Sequence, residues 1–213
     1  MATKVKICGV KTQTALDAAL AGGADYVGLV FFPPSPRNVA PAAAKALAEQ
    51  ARGRAKIVAL MVDPDDALID TVMARAAPDL LQLHGEETPE RAADIRRRWG
   101  TPVMKAIKVE TAQDARAALG FREAADLILF DARAPADSTR PGGNGAPFDW
   151  HTLLGVEARL PFLLSGGLTP DNVAEAIRVT GAPVVDVSSG VETSPGEKDP
   201  ELILRFLRAV KGG

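Results

Sequence analysis

The sequence predicts an α/β protein with a single-domain (β/α)8 TIM barrel spanning residues 1–213. Eight short runs of strand-forming residues recur along the chain, each followed by a helical pattern, at a pitch of roughly 20 to 35 residues. Most of these runs are apolar throughout, which is typical of parallel strands covered on the outside by helices. Eight such units are too many for most doubly wound sheets, so a closed barrel is expected.

The elements alternate from one end of the chain to the other, and no segment reads as a linker or a second domain. The predicted strands are 4–8, 26–31, 57–62, 80–83, 103–107, 127–130, 162–165 and 184–187. The predicted helices are 12–21, 40–52, 65–76, 89–98, 112–119, 150–156, 171–180 and 199–209. Residues 131–149 form the longest irregular segment, rich in Pro, Gly and Ser, and residues 211–213 are expected to fray.

The first strand ends on the only cysteine of the chain. Lys4, Lys6 and Cys8 share one face of this strand, since side chains alternate across a strand. At the C-terminal end of a barrel strand, that face looks into the mouth where chemistry takes place, and Gly9 lets the chain turn away. Cys8 is therefore either a reactive thiol in a site or, as a lone cysteine often is, a small buried hydrophobic residue.

Composition excludes several functions. The net charge of -2 provides no basic field for nucleic acid, so any phosphate ligand has to be held locally. The N-terminus lacks an apolar signal core and no run approaches the roughly 18 apolar residues of a membrane helix, which predicts no membrane partner and a cytoplasmic protein. A single cysteine forms no internal disulfide, and two histidines far apart in sequence predict no metal site.

Polar groups follow several strands at what should be one rim of the barrel. Glycine-rich loops follow the seventh and eighth strands, at Ser165-Gly166-Gly167 and Ser188-Ser189-Gly190. Such paired loops bind phosphate in many barrels, because glycine lets backbone N–H groups approach the anion, and a short helix beginning near Ser189 would point its positive end at it. Small phosphorylated ligands are thus the expected partners.

Asp131 follows an apolar strand at the same rim, and a barrel would set it across the mouth from Cys8. A thiolate and a carboxylic acid on two sides of a small substrate form a base and acid pair. The alternative for Asp131 is a helix cap or a loop aspartate that stabilises a turn.

Several short motifs together resemble those of the phosphoribosylanthranilate isomerase family of tryptophan biosynthesis. The likeness covers nearly the whole chain, and the combination is specific although each motif alone is not. The motifs are Lys6-Ile7-Cys8-Gly9, Gln82-Leu83-His84-Gly85, Gly142-Gly143-Asn144-Gly145 with Phe148-Asp149-Trp150, Leu164-Ser165-Gly166-Gly167-Leu168, and Asp186-Val187-Ser188-Ser189-Gly190-Val191-Glu192.

The resemblance implies a cofactor-free Amadori rearrangement of N-(5'-phosphoribosyl)anthranilate to 1-(2-carboxyphenylamino)-1-deoxyribulose 5-phosphate. It implies that Asp131, the general acid, protonates the furanose ring oxygen and opens the ring to a Schiff base. Cys8, the general base, then removes the C2 proton. Arg37 matches the residue that holds the anthranilate carboxylate in the family. Without the resemblance, the sequence would predict only a solvated arginine in a loop.

Further expectations concern groups near the proposed acid and base. Gln82 and His84 share a face near the rim and are expected to position or contact the substrate. A free thiol has a pKa of about 8.5, so the pKa of Cys8 must be lowered for it to act as a base near neutrality. Lys6, on the same face, is expected to help and also to pair with Asp186, because the first and eighth strands are neighbours in a closed barrel.

Three other functions remain open from the sequence. The histidine-pathway aldose-ketose isomerase performs the same rearrangement, but it resembles a duplicated half-barrel with an aspartate where Cys8 stands. Ribulose-phosphate epimerase requires metal-binding histidines that this chain lacks. A catalytically silent phosphosugar-binding barrel is disfavoured by the presence of both Cys8 and Asp131. A monomer and a homodimer are both compatible with the sequence, and lid behaviour of the 132–145 loop is undecided.

Overall fold

The computed structural model describes residues 2–132, 149–153, 155 and 161–212. Eight parallel strands pair in chain order, and the first also pairs with the eighth, so the sheet is a closed barrel. The predicted fold class is confirmed. The strands are β1 (Lys4–Cys8), β2 (Tyr26–Phe31), β3 (Lys56–Met61), β4 (Leu80–Leu83), β5 (Val103–Val109), β6 (Leu127–Ala132), β7 (Phe162–Leu164) and β8 (Val184–Val187).

Helices connect the strands and surround the barrel. They are α1 (Gln13–Ala21), α2 (Pro41–Ala51), α3 (Asp66–Ala76), α4 (Pro89–Trp99), α5 (Ala112–Ala117), α6 (Val173–Thr180) and α7 (Pro200–Lys211), with 3-10 turns at Ala118–Phe121, Trp150–Leu153 and Ser189–Val191. Several of the helices begin where a Thr or Asp side chain accepts a backbone N–H of the first turn, as Thr12 does for α1 and Asp65 for α3. No helix in the described part of the chain has the length and apolar character to cross a membrane.

The structure differs from the sequence prediction at several element ends, among them those of β6 and α7, and in a hairpin after β8. Strand β6 runs through Asp131 to Ala132, because β5 also continues to Val109 and pairs with it, so Asp131 lies within a strand. Helix α7 continues to Lys211. A hairpin of β9 (Glu192–Ser194) and β10 (Glu197–Lys198) was not predicted. The motif residues 142–148, most of the 132–145 loop and the end of the predicted 150–156 helix lie outside the described residues.

Alternate strand residues form two separate apolar layers. One set packs with the helices in the main core and includes Ile7, Leu83 and Phe130. The other set comes almost entirely from strands and fills the barrel interior near its N-terminal end. Because side chains alternate along a strand, Lys6 and Cys8 also point into the barrel interior, on the C-terminal side of this apolar set. The polar residues of the candidate site therefore occupy the C-terminal half of the barrel.

Aspartate side chains connect three pairs of neighbouring strands at the N-terminal end of the barrel, opposite the candidate site. Asp25, Asp79 and Asp126 each immediately precede an even-numbered strand. Each carboxylate accepts the backbone N–H near the start of the preceding strand, at 2.9, 2.7 and 2.9 Å respectively. These contacts satisfy backbone donors that the barrel ladder leaves at its edge and fix the register of each strand pair.

Candidate active site

Cys8 lies at the C-terminal end of β1 with its side chain inside the barrel mouth. It is 4% exposed and packs with Val30 and Leu60. Gly28 is its partner on β2. A Cβ at Gly28 would lie 3.1 Å from the Cys8 Sγ atom and 3.2 Å from the Lys6 Nζ atom, so glycine leaves room for both groups.

Lys6 and Asp186 form a buried ion pair beneath the thiol. Lys6 Nζ lies 2.8 Å from Asp186 Oδ1, and the two residues are register partners on β1 and β8. Ser165 donates its hydroxyl to Asp186 Oδ2 at 3.2 Å. Burial disfavours the ammonium, but Asp186 and Cys8 outweigh that cost and raise the pKa of Lys6. The predicted Lys6–Asp186 pair is confirmed.

The protonation of Cys8 is set by opposing influences. Burial raises the pKa of the Cys8 thiol above its usual range, whereas the charge of Lys6 lowers that pKa. Asp186 raises it further, because its carboxylate repels a thiolate. Burial prevails, so the pKa of Cys8 lies above its ordinary value and the lowering expected from the sequence is not found.

Asp131 is 5% exposed and contacts a histidine rather than a cation. His84 Nε2 lies 3.2 Å from Asp131 Oδ2, and Gln82 Nε2 lies 2.9 Å from His84 Nδ1. With the Gln82 amide donating, Nδ1 is the acceptor, and the ring proton of a neutral His84 lies on Nε2, facing Asp131. Gln82 itself is fully buried behind His84. The Gln82–His84–Asp131 chain therefore fixes one oxygen of the carboxyl group.

A second buried ion pair holds the loop that carries His84. Lys105 Nζ contacts Glu87 Oε2 at 2.8 Å and the Gly85 carbonyl at 2.6 Å. Glu87 Oε1 accepts the Asp63 N–H at 2.8 Å and the Gly85 N–H at 3.2 Å. These contacts immobilise the backbone directly after His84, so the ring approaches Asp131 from a rigid support.

Arg37 lies over Gly9, where an added Cβ would be 2.7 Å from Arg37 Cδ. Its Nε and Nη2 atoms donate to the two oxygens of Glu192 at 2.8 and 2.7 Å. Lys198 Nζ contacts the same carboxylate at 2.5 Å. Burial disfavours the carboxylate, but Arg37 and Lys198 overcome that effect and lower the pKa of Glu192. Arg37 is thus held rigidly rather than solvated.

The two glycine-rich loops touch one another at the rim. Gly166 and Gly167 have φ values of +86° and +65°, which favour glycine. A Cβ at Gly190 would lie 1.9 Å from the Leu168 carbonyl oxygen, so the β8 loop packs directly on the β7 loop. The helix expected near Ser189 is a single 3-10 turn, Ser189–Val191. Because three residues align few peptide dipoles, backbone N–H groups are the main feature offered to an anion here.

The comparisons with known proteins agree with this site. A family model described as "N-(5'phosphoribosyl)anthranilate (PRA) isomerase" matches residues 5–209. The chain belongs to the phosphoribosylanthranilate isomerase family. The enzyme of Rhodopseudomonas palustris strain HaA2 is 57% identical, covering 99% of this chain and 97% of that protein. The enzyme of Bradyrhizobium diazoefficiens is 55% identical, over 99% and 95%.

Solved structures of phosphoribosylanthranilate isomerases have the same architecture. The Thermotoga maritima enzyme is 36% identical with a TM-score of 0.89, covering 99% of this chain and all of that one. A further phosphoribosylanthranilate isomerase structure, 35% identical over 99% and 100% with a TM-score of 0.86, contains reduced 1-(o-carboxyphenylamino)-1-deoxyribulose 5-phosphate. The predicted family, and with it the isomerase class, is confirmed.

Two members of the site, Glu192 and Lys198, were not predicted from the sequence. Glu192 belongs to one of the family motifs but was assigned no role, and no role was predicted for Lys198. The Ser194-Pro195-Gly196 turn was a usable signal, because Pro-Gly between polar residues is typical of a hairpin. Within the described ranges, no group of three or more His, Cys, Asp or Glu residues is arranged to hold a metal ion.

Proposed function

We propose that Cys8 and Asp131 perform, as general base and general acid, the rearrangement of N-(5'-phosphoribosyl)anthranilate to 1-(2-carboxyphenylamino)-1-deoxyribulose 5-phosphate. The observation that carries this proposal is the placement of both groups, nearly buried, at the C-terminal ends of barrel strands, each with its own polar partners. Catalytic residues of (β/α)8 barrels occupy this rim. The complex of a relative with a reduced product supports the substrate class.

The geometry divides the reaction into two proton transfers. His84 occupies Asp131 Oδ2, so Oδ1 is the oxygen that gives its proton to the furanose ring oxygen. The C1–O bond breaks, and the anilino nitrogen lone pair forms a Schiff base at C1. The Cys8 thiolate then takes the C2 proton, and the C2–H electrons form the enol that tautomerises to the ketose. The ammonium of Lys6 stabilises the thiolate.

The remaining predicted residues bind or orient the substrate in this proposal. Backbone N–H groups of Gly166, Gly167, Ser189 and Gly190 hold the phosphate. The Ser188 hydroxyl donates to the Cys8 carbonyl at 3.2 Å, so Ser188 contributes through its backbone.

Arg37 binds the anthranilate carboxylate in this proposal, from the edge that Glu192 does not occupy. His84 orients Asp131, and Gln82 acts on the substrate only through His84.

The partner of the site is accordingly a small phosphorylated sugar. One Thermotoga maritima relative is described as monomers generated from a dimeric enzyme. Whether this chain is a monomer or a homodimer, its cytoplasmic location and its organisation as one domain over residues 1–213 stay predictions.

Turnover is tested by the loss of the fluorescence of the anthranilate substrate. Cys8→Ala and Asp131→Asn should each lower kcat by about 10² to 10⁴-fold, the usual contribution of general acid–base groups, while both variants still bind substrate. Asp171→Asn is a matched control, because Asp171 is exposed on the loop after β7. Near-normal turnover by either site variant would remove the assigned role. Binding without turnover by the unmodified protein would identify a silent phosphosugar-binding barrel.

A further inference from the structure

A hairpin outside the barrel brings a second lysine to the catalytic thiol. Lys198 ends β10, and its side chain is only 1% exposed. Its Nζ atom contacts Ser188 twice, at 3.0 Å to the carbonyl oxygen and 3.2 Å to the hydroxyl. Ser188 in turn donates to the carbonyl oxygen of Cys8. Lys198 is thus two hydrogen bonds away from the backbone of the proposed base.

The cluster around Lys198 has an imbalance of charge. One carboxylate, Glu192, is shared by two cations, because Arg37 holds both its oxygens and Lys198 contacts one of them. The three side chains are each at most 7% exposed and together carry one excess positive charge. The Lys6–Asp186 pair, by contrast, is neutral as a whole. An uncompensated buried charge is costly unless an anion approaches it.

The thiolate of Cys8 is one anion on which the charge of Lys198 acts. Lys6 from β1, Asp186 from β8 and Lys198 from β10 are the charged groups that act on the thiol, and its other neighbours include the apolar Val30 and Leu60. After burial, which raises the pKa of Cys8, the charge of Lys198 is among the influences that lower it. Ionisation of the thiol would neutralise the excess charge of the cluster.

We propose that Lys198 is a positioning residue whose charge favours the thiolate of Cys8 over the thiol and which, through Glu192, keeps Arg37 in place. The proposal extends the function proposed above, since it takes Cys8 as the base. Lys198, which lies outside the barrel strands, then acts on two members of the site, the proton acceptor Cys8 and the carboxylate-binding Arg37. Substrate that closes over the mouth would strengthen this effect, because removal of water increases the interaction between the charges.

The test measures alkylation of Cys8 by iodoacetamide as a function of pH. Cys8 is the only cysteine of the chain, so intact mass reports on it alone. Lys198→Met should leave a neutral Arg37–Glu192 pair and move the profile to higher pH, with the same plateau. Below the plateau its rate should be about tenfold lower than that of the unmodified protein, because loss of a buried positive charge that favours the thiolate should shift the profile by about one pH unit.

Two further variants separate charge from packing. Lys198→Gln keeps hydrogen-bonding capacity without the charge and should shift the alkylation profile as Lys198→Met does. It also provides the test if Lys198→Met fails to fold. Lys198→Arg should restore the profile. Lys11→Met is the matched control, because Lys11 contacts Glu197 of the same hairpin at 2.9 Å from the solvent side. Profiles of both neutral variants that superimpose on the unmodified one would overturn the proposal.

The isomerase assay adds an independent result. The acidic limb of kcat/KM should move to higher pH in Lys198→Met and return in Lys198→Arg, while a purely structural role would lower kcat/KM equally at every pH. If alkylation shifts but the isomerase activity is absent even in the unmodified protein, the role of Lys198 stands and the proposed function fails. If activity is present and alkylation does not shift, only the role of Lys198 fails.

Discussion

Replacing Lys6 by methionine should destabilise the barrel more than any change of a surface charge. The substitution removes the ammonium 2.8 Å from Asp186 and leaves a carboxylate, only 4% exposed, with the Ser165 hydroxyl as a neutral partner. Removing one member of a buried ion pair costs about 3 to 5 kcal/mol, because the other charge stays buried without compensation. This cost is a large fraction of the stability of an ordinary domain.

Urea denaturation followed by circular dichroism measures this loss. With a slope of about 2 to 3 kcal/mol per M, the midpoint should fall by about 1 to 2 M. The double variant Lys6→Met, Asp186→Asn should recover about 2 kcal/mol, since the unpaired charge is gone. Lys45→Met is the control, because Lys45 and Glu49 form an exposed pair at 3.7 Å and its loss should cost about 0.5 kcal/mol or less.

A midpoint that falls by less than about 0.5 M in Lys6→Met, at an unchanged slope, would refute the reasoning. It would mean that the pair contributes no more than an exposed one. A double variant as unstable as the single variant would instead show that packing of the Lys6 side chain, rather than its charge, stabilises the barrel.

Two other predictions concern the two ends of the barrel. Asp79→Ala removes the acceptor of the Ile57 N–H and should cost about 1 to 3 kcal/mol in urea denaturation, and a loss below about 0.5 kcal/mol would show that water replaces the carboxylate. Gly190→Ala places a Cβ against the Leu168 carbonyl, separates the two glycine-rich loops and should raise KM for the phosphorylated substrate about tenfold. Gly120→Ala, with no atom within 4 Å of its Cβ, should leave KM unchanged, and an unchanged KM in both would contradict the placement of the phosphate.

The fold was predictable because its signals are local and repeated. Strands 26–31, 80–83 and 184–187 were predicted to the residue, since short apolar runs between helical patterns leave few alternatives. The ends of β5 and β6 were not, because each strand continues only as far as its neighbour pairs with it. Hence Asp131, expected after a strand, lies inside one.

The site was predictable where it depends on strand alternation and closure. Lys6 and Asp186 are 180 positions apart, yet their pairing follows from two strands that must be neighbours in a closed barrel. Strand alternation and closure did not predict two other contacts. These are the contact of His84 with Asp131 and the ion pair of Arg37 with Glu192. Each depends on the direction of a side chain across the barrel mouth, and sequence periodicity gives no information about that direction.

The chain order of residues by itself determined the alternation of strands and helices, the face on which each strand residue lies and the end of the barrel that carries the polar groups. Only the tertiary structure decided how those groups share charge. A carboxylate between two cations, a thiol above a neutral ion pair and a histidine on a buried acid arise from distances of a few ångströms. Electrostatic interactions in a buried site vary steeply over such distances, whereas the periodicity of a sequence does not record them.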